Sequence, residues 1–310
     1  MSFSGDVKEE LAKDHSKARH CQIAEFAAIL HFCAKIVQDK NGETQLHFVA
    51  ENTAVWKKCF TLLKKTFNIE TSCEIDKERE NSHTIVISNP DDVWNIFQAV
   101  KLIGDDGVFR GFDEPVNGML IKSSCCKRAF LRGAFLCIGS MSDPAKGYHL
   151  ELVADRERQA LQLQGLLKDF ELDAKIVRRK KYYVVYLKEG SNIVDFLNVC
   201  EAHVGLMNFE NLRIVKEVRN SVNRRVNCEA ANIKKTVNAA TKQIQDIELI
   251  RDKYGFANLP DGLRQMAQIR LEYPDATLKE LGQYISPPVG KSGVNHRLRK
   301  LSELAEELKA

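Results

Sequence analysis

Several classes of protein are excluded by what this chain lacks. No uninterrupted apolar run approaches the ~20 residues that a membrane-spanning helix needs. The opening MSFSGDVKEELAK has no apolar stretch of the kind a secretory signal carries. A membrane partner is therefore not expected, and the reading is a cytoplasmic protein. None of the 9 cysteines (Cys21, Cys33, Cys59, Cys73, Cys125, Cys126, Cys137, Cys200 and Cys228) has a CxxC partner. A zinc cluster or a disulfide framework needs better spacing, so reduced structural thiols are expected, with no metal and no cofactor. Cys125 and Cys126 are neighbours, a bridge between them would be strained, and the sequence assigns them no function.

Charge of one sign is also missing overall, since the formal net charge is only +4. Its distribution is uneven. Residues 1–203 hold 28 basic against 29 acidic side chains, whereas residues 204–310 hold 18 against 13. Segregated positive charge in the last third points to a polyanion as that region's partner.

What the chain has is an internal repeat. The first copy opens with an apolar helix over 21–36, followed by an alternating strand at 44–51 and an amphipathic helix at 53–68. A strand pair at 69–76 and 83–88 and a helix at 90–104 complete it. The second copy runs through a helix at 126–140, a strand at 148–155, a helix at 156–170, a strand pair at 172–179 and 182–188, and a helix at 191–204. Phe48-Val49-Ala50 matches Leu152-Val153-Ala154, Phe67 matches Phe170, and Ile85-Val86-Ile87 matches Val184-Val185-Tyr186. The expected fold class is α+β: a pseudo-symmetric duplicated αββαββα domain followed by an all-α domain. The boundaries are an N-terminal helical extension at 1–20, the duplicated domain at 21–205 (repeats 21–104 and 125–204), a basic helical connector at 206–258, and a helix-turn-helix at 259–310.

Within the second copy, LRGAFLCIGS (131–140) resembles the LAGLIDADG motif of homing endonucleases. The resemblance implies that the motif helix of each half packs on its mate at the pseudo-twofold axis, with small residues letting the backbones approach. Gly133, Ala134 and Gly139 would serve in one helix, and Ala27, Ala28 and Ala34 in the other. In active members an acid before the second glycine of each motif holds divalent metal and activates water. Cys33 and Ile138 occupy those positions here. Isoleucine offers no ligand, and a thiol is too soft for magnesium. Asp143 stands past the helix end. The resemblance thus implies a nuclease fold without catalytic residues.

The connector gathers Arg213, Lys216, Arg219, Arg224 and Arg225, opposed by Glu217 alone. A solvated helix face and a phosphate-contacting face both fit this run. Asn220, Asn223 and Asn227 suggest a turn or helix break. Beyond it, Leu263, Met266, Ala267 and Leu271 mark a helix that stops at Tyr273-Pro274. Thr277 and Glu280 have capping-box spacing. A helix burying Leu278, Leu281 and Ile285 follows, then a turn through Pro287-Pro288 and Gly290. The last helix begins near Ser292 and buries Val294, Leu298, Leu301 and Ala305. The opposite face presents Ser292, His296 and Arg299, flanked by Asn295 and Lys300. Arg299 suits guanine and Asn295 adenine, while Lys291, Arg297 and Lys300 suit phosphates. A small helical interaction domain is the competing reading, and His296 serves equally as a plain exposed histidine.

SFSGDVKEELA (2–12), LRGAFLCIGSMSDP (131–144), NRRVNCEAANIKKTVNAA (223–240) and PPVGKSGVNHRLRKL (287–301) together resemble the bacterial WhiA family. The resemblance covers essentially the whole chain. It implies a DNA-binding transcriptional regulator tied to sporulation or to cell division and chromosome segregation, nucleoid-associated and not an enzyme. Double-stranded DNA is the expected partner. The LAGLIDADG-like domain would add either DNA contact or a surface for proteins such as RNA polymerase or a sigma factor, and its near-neutral charge favours the protein surface. A chromosome-associated scaffolding protein, whose main output is not transcription, is the alternative.

Overall fold

The computed structural model of the chain describes residues 2–38, 44–50, 52–70, 72–75, 83–104 and 107–309. Residues 51, 71 and 76, within two expected strands, lie outside the described residues, as does the side chain of Cys73. The chain divides into two compact units, Met1–Glu217 and Val218–Ala310.

The first unit opens with α1 (Phe3–Lys13). Two runs of the same order follow. One is α2 (Arg19–Cys33), β1 (Ala34–Gln38), β2 (Thr44–Ala50), α3 (Thr53–Leu62, prolonged by one π-turn to Phe67), β3 (Ser72–Ile75), β4 (His83–Ile87) and α4 (Pro90–Ala99). The other is α5 (Ser124–Ile138), β5 (Gly139–Met141), β6 (Leu150–Ala154), α6 (Glu157–Lys168), β7 (Lys175–Arg179), β8 (Tyr182–Leu187) and α7 (Gly190–Val199). Each half is αββαββα, with an antiparallel sheet ordered β1-β2-β4-β3 or β5-β6-β8-β7.

The expected helices over 21–36 and 126–140 stop earlier, at Cys33 and Ile138, and the chain turns directly into β1 and β5. The β-branched pair Ile36-Val37 fits a strand better than a helix, and Ala34 pairs with Phe48 at the sheet edge. The match between the halves also shifts. Phe48 faces Ile85 and Leu152 faces Val185, so Ile85 corresponds to Val185 rather than Val184. Both strands are apolar on both faces here (Ile85, Val86, Val184 and Val185 are all buried), so alternation carries no register information.

α2 and α5 pack along their lengths, with Ala27, Ala28 and Ala134 fully buried. A Cβ on Gly133 would stand 2.5 Å from the Glu25 carbonyl oxygen and 2.9 Å from the Ala28 Cβ. Gly139 is small for another reason. It caps α5 and begins β5, and its Cβ would stand 2.3 Å from the Phe135 ring of its own helix. Ala34 likewise caps α2 and is only half-buried.

Three charges are sealed in this core. Glu25 Oε1 lies 2.9 Å from both Lys58 Nζ and Arg132 Nε. Lys58 also donates to the carbonyls of Leu11 and Asp14. Arg132 donates to Glu201 Oε2 at 2.5 Å and Ser16 Oγ at 2.7 Å. Such charges are tolerable only because each is paired. The segment 1–20 is no mere extension, because Val7 and Leu11 of α1 are buried in the main core.

The helix expected over 191–204 ends at Val199. Glu201, at φ +66°, turns the chain into α8 (His203–Lys253). Glu10 of α1 accepts from the free backbone N–H groups of Val204 and Gly205, both at 2.8 Å, which satisfies the helix start. α8 does not break at Asn220, Asn223 or Asn227. No Gly or Pro occurs between Gly205 and Gly255, and an asparagine costs a helix at most ~0.7 kcal/mol against ~3 for proline.

The second unit holds the remainder of α8 with α9 (Asp261–Glu272), α10 (Leu278–Tyr284) and α11 (Lys291–Glu307). Its core joins Ile247 and Ile250 of α8 to Met266, Ala267, Leu281, Ile285, Val294, Leu298, Leu301 and Ala305. The boundary expected at 258/259 therefore falls inside this unit.

Candidate nucleic-acid interface

α10 starts on a complete capping box: Thr277 N donates to Glu280 Oε2 at 2.8 Å, and Glu280 N donates to Thr277 Oγ1 at 3.4 Å. The turn beyond it is tied back by Val289 N donating to the Gly282 carbonyl at 2.9 Å. This places α11 with Val294, Leu298, Leu301 and Ala305 buried against α9 and α10. Lys291, Ser292, Asn295, His296, Arg299 and Lys300 are all exposed on the other side. Arg299 is held by Glu303 at 2.9 Å, one turn on. An exposed pair of this kind is worth about 0.3–0.5 kcal/mol and yields easily to a base edge. Arg297 differs from the rest. It is half-buried, and its guanidinium donates to the Gly262 carbonyl at 3.4 Å, so it fixes α11 on α9 instead of pointing outward. Arg219, Arg224 and Arg225 are exposed on α8.

A second basic surface went unread in the sequence. β7, β8 and their turn carry Arg178, Arg179, Lys180 and Lys181 beside Tyr182, Tyr183 and Tyr186. Lys181 lies over the Tyr182 ring at 5.1 Å and Arg178 over Tyr183 at 5.9 Å. The near-zero charge of the first 203 residues hid this cluster, although RRKKYY (178–183) was visible as a string.

The motif ends open into a cavity lined by Lys8, His31, Cys33, Ile138, Asp113 and Asp155 among others. Cys33 and Ile138 are half-buried and pack on the apolar core. Cys137 sits beside Cys33, and burial pushes the Cys137 thiol well above the ordinary range. His31 Nδ1 donates to the Phe112 carbonyl at 3.3 Å, and burial holds its pKa below the ordinary value. Of the cavity's carboxylates, Asp113 is exposed and paired with Arg156 at 2.9 Å, and Asp155 is exposed. Asp143 accepts from Ala145 N at 2.9 Å in the turn after β5. The two motif positions therefore offer a thiol and a hydrocarbon, not the hard oxygen pair that magnesium needs.

A duplicated αββαββα body with a close central helix pair, followed by a helix-turn-helix with a polar outer face, defines a LAGLIDADG-like scaffold joined to a DNA-binding type of module. Comparison with known proteins is specific. The WhiA N-terminal LAGLIDADG-like domain matches residues 19–103, the WhiA LAGLIDADG-like domain 127–219, and the WhiA C-terminal HTH domain 222–305. The Probable cell division protein WhiA of Lachnoclostridium phytofermentans is 52% identical, covering 100% of both chains. Its namesake in Alkaliphilus oremlandii is 48% identical over 99% of this chain and 98% of its own. The crystal structure of full-length DUF199/WhiA from Thermatoga maritima superposes with a TM-score of 0.61 at 26% identity, covering 99% of each chain. The chain belongs to the WhiA family.

Proposed function

We propose that this protein is a sequence-specific DNA-binding transcriptional regulator, acting in cell division, chromosome segregation or sporulation, with no nuclease activity. The observation that carries the reading is the outer face of α11, where Ser292, Asn295, His296 and Arg299 are exposed opposite a fully buried apolar stripe. A helix of this construction can enter a major groove with its N-terminal residues at base edges. Lys291 and Lys300 flank that face as phosphate contacts, and Arg219, Arg224 and Arg225 add a basic face on α8. The relatives' name supports placing the output in cell division. The absence of cleavage rests on the thiol and the isoleucine at the two motif positions. Site of action is the nucleoid, and no helix among the described residues is long and apolar enough to cross a membrane.

The body's role is a choice between DNA and protein partners such as RNA polymerase or a sigma factor. The Arg178–Tyr186 surface favours DNA, because clustered arginine, lysine and tyrosine side chains suit contact with a phosphate backbone. The decisive experiment compares genome-wide occupancy of the wild type with that of the Asn295→Ala, Arg299→Ala double variant. Sharp promoter peaks that vanish in the folded double variant establish α11 as the reader. Unchanged peaks reject it. Sharp peaks away from promoters select the chromosome-associated scaffold instead.

A further inference from the structure

The first turns of α2 and α5 hold a cluster that the sequence spacing concealed. His20 and Cys21 lie in one, Cys125 and Cys126 in the other. One donor atom from each of the four falls within 4.8 Å of all the others. His20 Nδ1 is 3.1 Å from Cys126 Sγ and 3.3 Å from Cys21 Sγ. Cys21 and Cys126 are buried against Ala24 and Ala129, while His20 and Cys125 close the cluster from outside. The two halves of the repeat thus contribute one pair each, at matching places on the central helices.

We propose that His20, Cys21, Cys125 and Cys126 form a zinc site that clasps the amino-terminal ends of α2 and α5. Three thiolates and one imidazole are a structural zinc set. With Zn–S near 2.3 Å and Zn–N near 2.1 Å, the edges of the tetrahedron are about 3.6–3.8 Å. The observed separations reach that by small side-chain rotations. The donors are too close together to bracket a multinuclear iron–sulfur cluster, and soft sulfur excludes magnesium and calcium. On binding, zinc replaces the three thiol protons, which pass to solvent, and His20 ligates as neutral imidazole. The product carries one net negative charge and sits where two helix N-termini present their positive ends. With four protein ligands no position is left for substrate, so the site is a fastener and not a catalytic centre. Cys228, exposed on α8, is a thiol outside the set.

The test uses the full chain, reduced and stripped of metal, titrated with cobalt(II) and then zinc. One equivalent of cobalt should give the intense visible absorption of tetrahedral thiolate coordination, zinc should bleach it, and the melting midpoint should rise on loading. His20→Ala and Cys125→Ala change exposed side chains and leave the buried helix contact intact. Each should weaken binding by at least about tenfold, while Cys228→Ala binds as the wild type does. Zinc-edge absorption should report three sulfur neighbours and one nitrogen. An octahedral cobalt spectrum, no stoichiometric uptake, or uptake unaffected by both exposed variants overturns the proposal. So does a disulfide from Cys21 to Cys125 or Cys126 trapped by alkylation in cells, with no zinc in the isolated protein.

Discussion

Gly133 lies inside α5, where glycine costs roughly 1 kcal/mol relative to alanine, and a Cβ there would collide with the backbone of α2. Gly165 is also inside a helix, α6, but nothing lies within 4 Å of where its Cβ would be. The two sites therefore predict opposite signs for one chemical change. Gly133→Ala should destabilise by about 1–3 kcal/mol through overpacking, and Gly165→Ala should stabilise by about 0.5–1 kcal/mol. Urea midpoints of the two variants decide it, and destabilisation by both would remove the contact argument. Arg132 is a harsher case. Arg132→Met leaves Glu25 buried with Lys58 as its one remaining cation among the described residues, and breaking a buried pair costs about 3–5 kcal/mol. The same denaturation series measures it, and a loss under 1 kcal/mol would mean that the site admits water.

The elements differ in how far they can be tested and read. Thr277→Ala removes the oxygen that caps α10 and should cost about 1 kcal/mol, seen as a lower midpoint for the helical unit with its helix content kept. The buried stripe of α11 was legible, because Val294, Leu298, Leu301 and Ala305 follow the helical period and every one is buried, whereas Arg297, expected at a phosphate, turns inward to the Gly262 carbonyl. The capping box was legible from its two residues. β1 and β5 were not, since each is a short edge strand entered straight from an apolar helix, and residues 35–38 are exposed. The continuity of α8 was misread through its asparagines, which are weak helix formers and not breakers. Glu10 as the cap of α8 was beyond sequence reasoning, because its partners lie almost 200 positions away. The basic strip on β7 and β8 was legible as a string but was averaged out by charge counting. The four donors of the proposed zinc site were hidden because His20 and Cys126 stand 106 positions apart, although the repeat itself places the two helix starts side by side.

At the scale of the whole molecule, acid and salt separate the fold from its function. Burial lowers the His31 pKa, so folding keeps this imidazole neutral where the unfolded chain would protonate it. A depressed folded pKa gives stability that is full above about pH 6.5 and lost as pH falls through the folded value. His15 is lowered by burial too and acts in the same direction. The melting midpoint should fall between about pH 7 and pH 5, and the His31→Gln, His15→Gln variant should flatten that slope. Salt reports on DNA instead. Each phosphate neutralised adds about −0.9 to the slope of log affinity against log salt concentration, and base-edge contacts add almost nothing to it. Lys291→Gln with Lys300→Gln should therefore shallow the slope by about 2 and weaken binding to every sequence alike. Asn295→Ala should leave the slope as it is and cost about 1–3 kcal/mol on the preferred site only. Arg178→Gln with Lys181→Gln asks the same of the body: a shallower slope puts the β7–β8 surface on the phosphate backbone, and an unchanged slope leaves that surface to a protein partner. If Asn295→Ala alters the slope while the lysine pair does not, the base-facing and phosphate-facing roles on α11 are assigned the wrong way round.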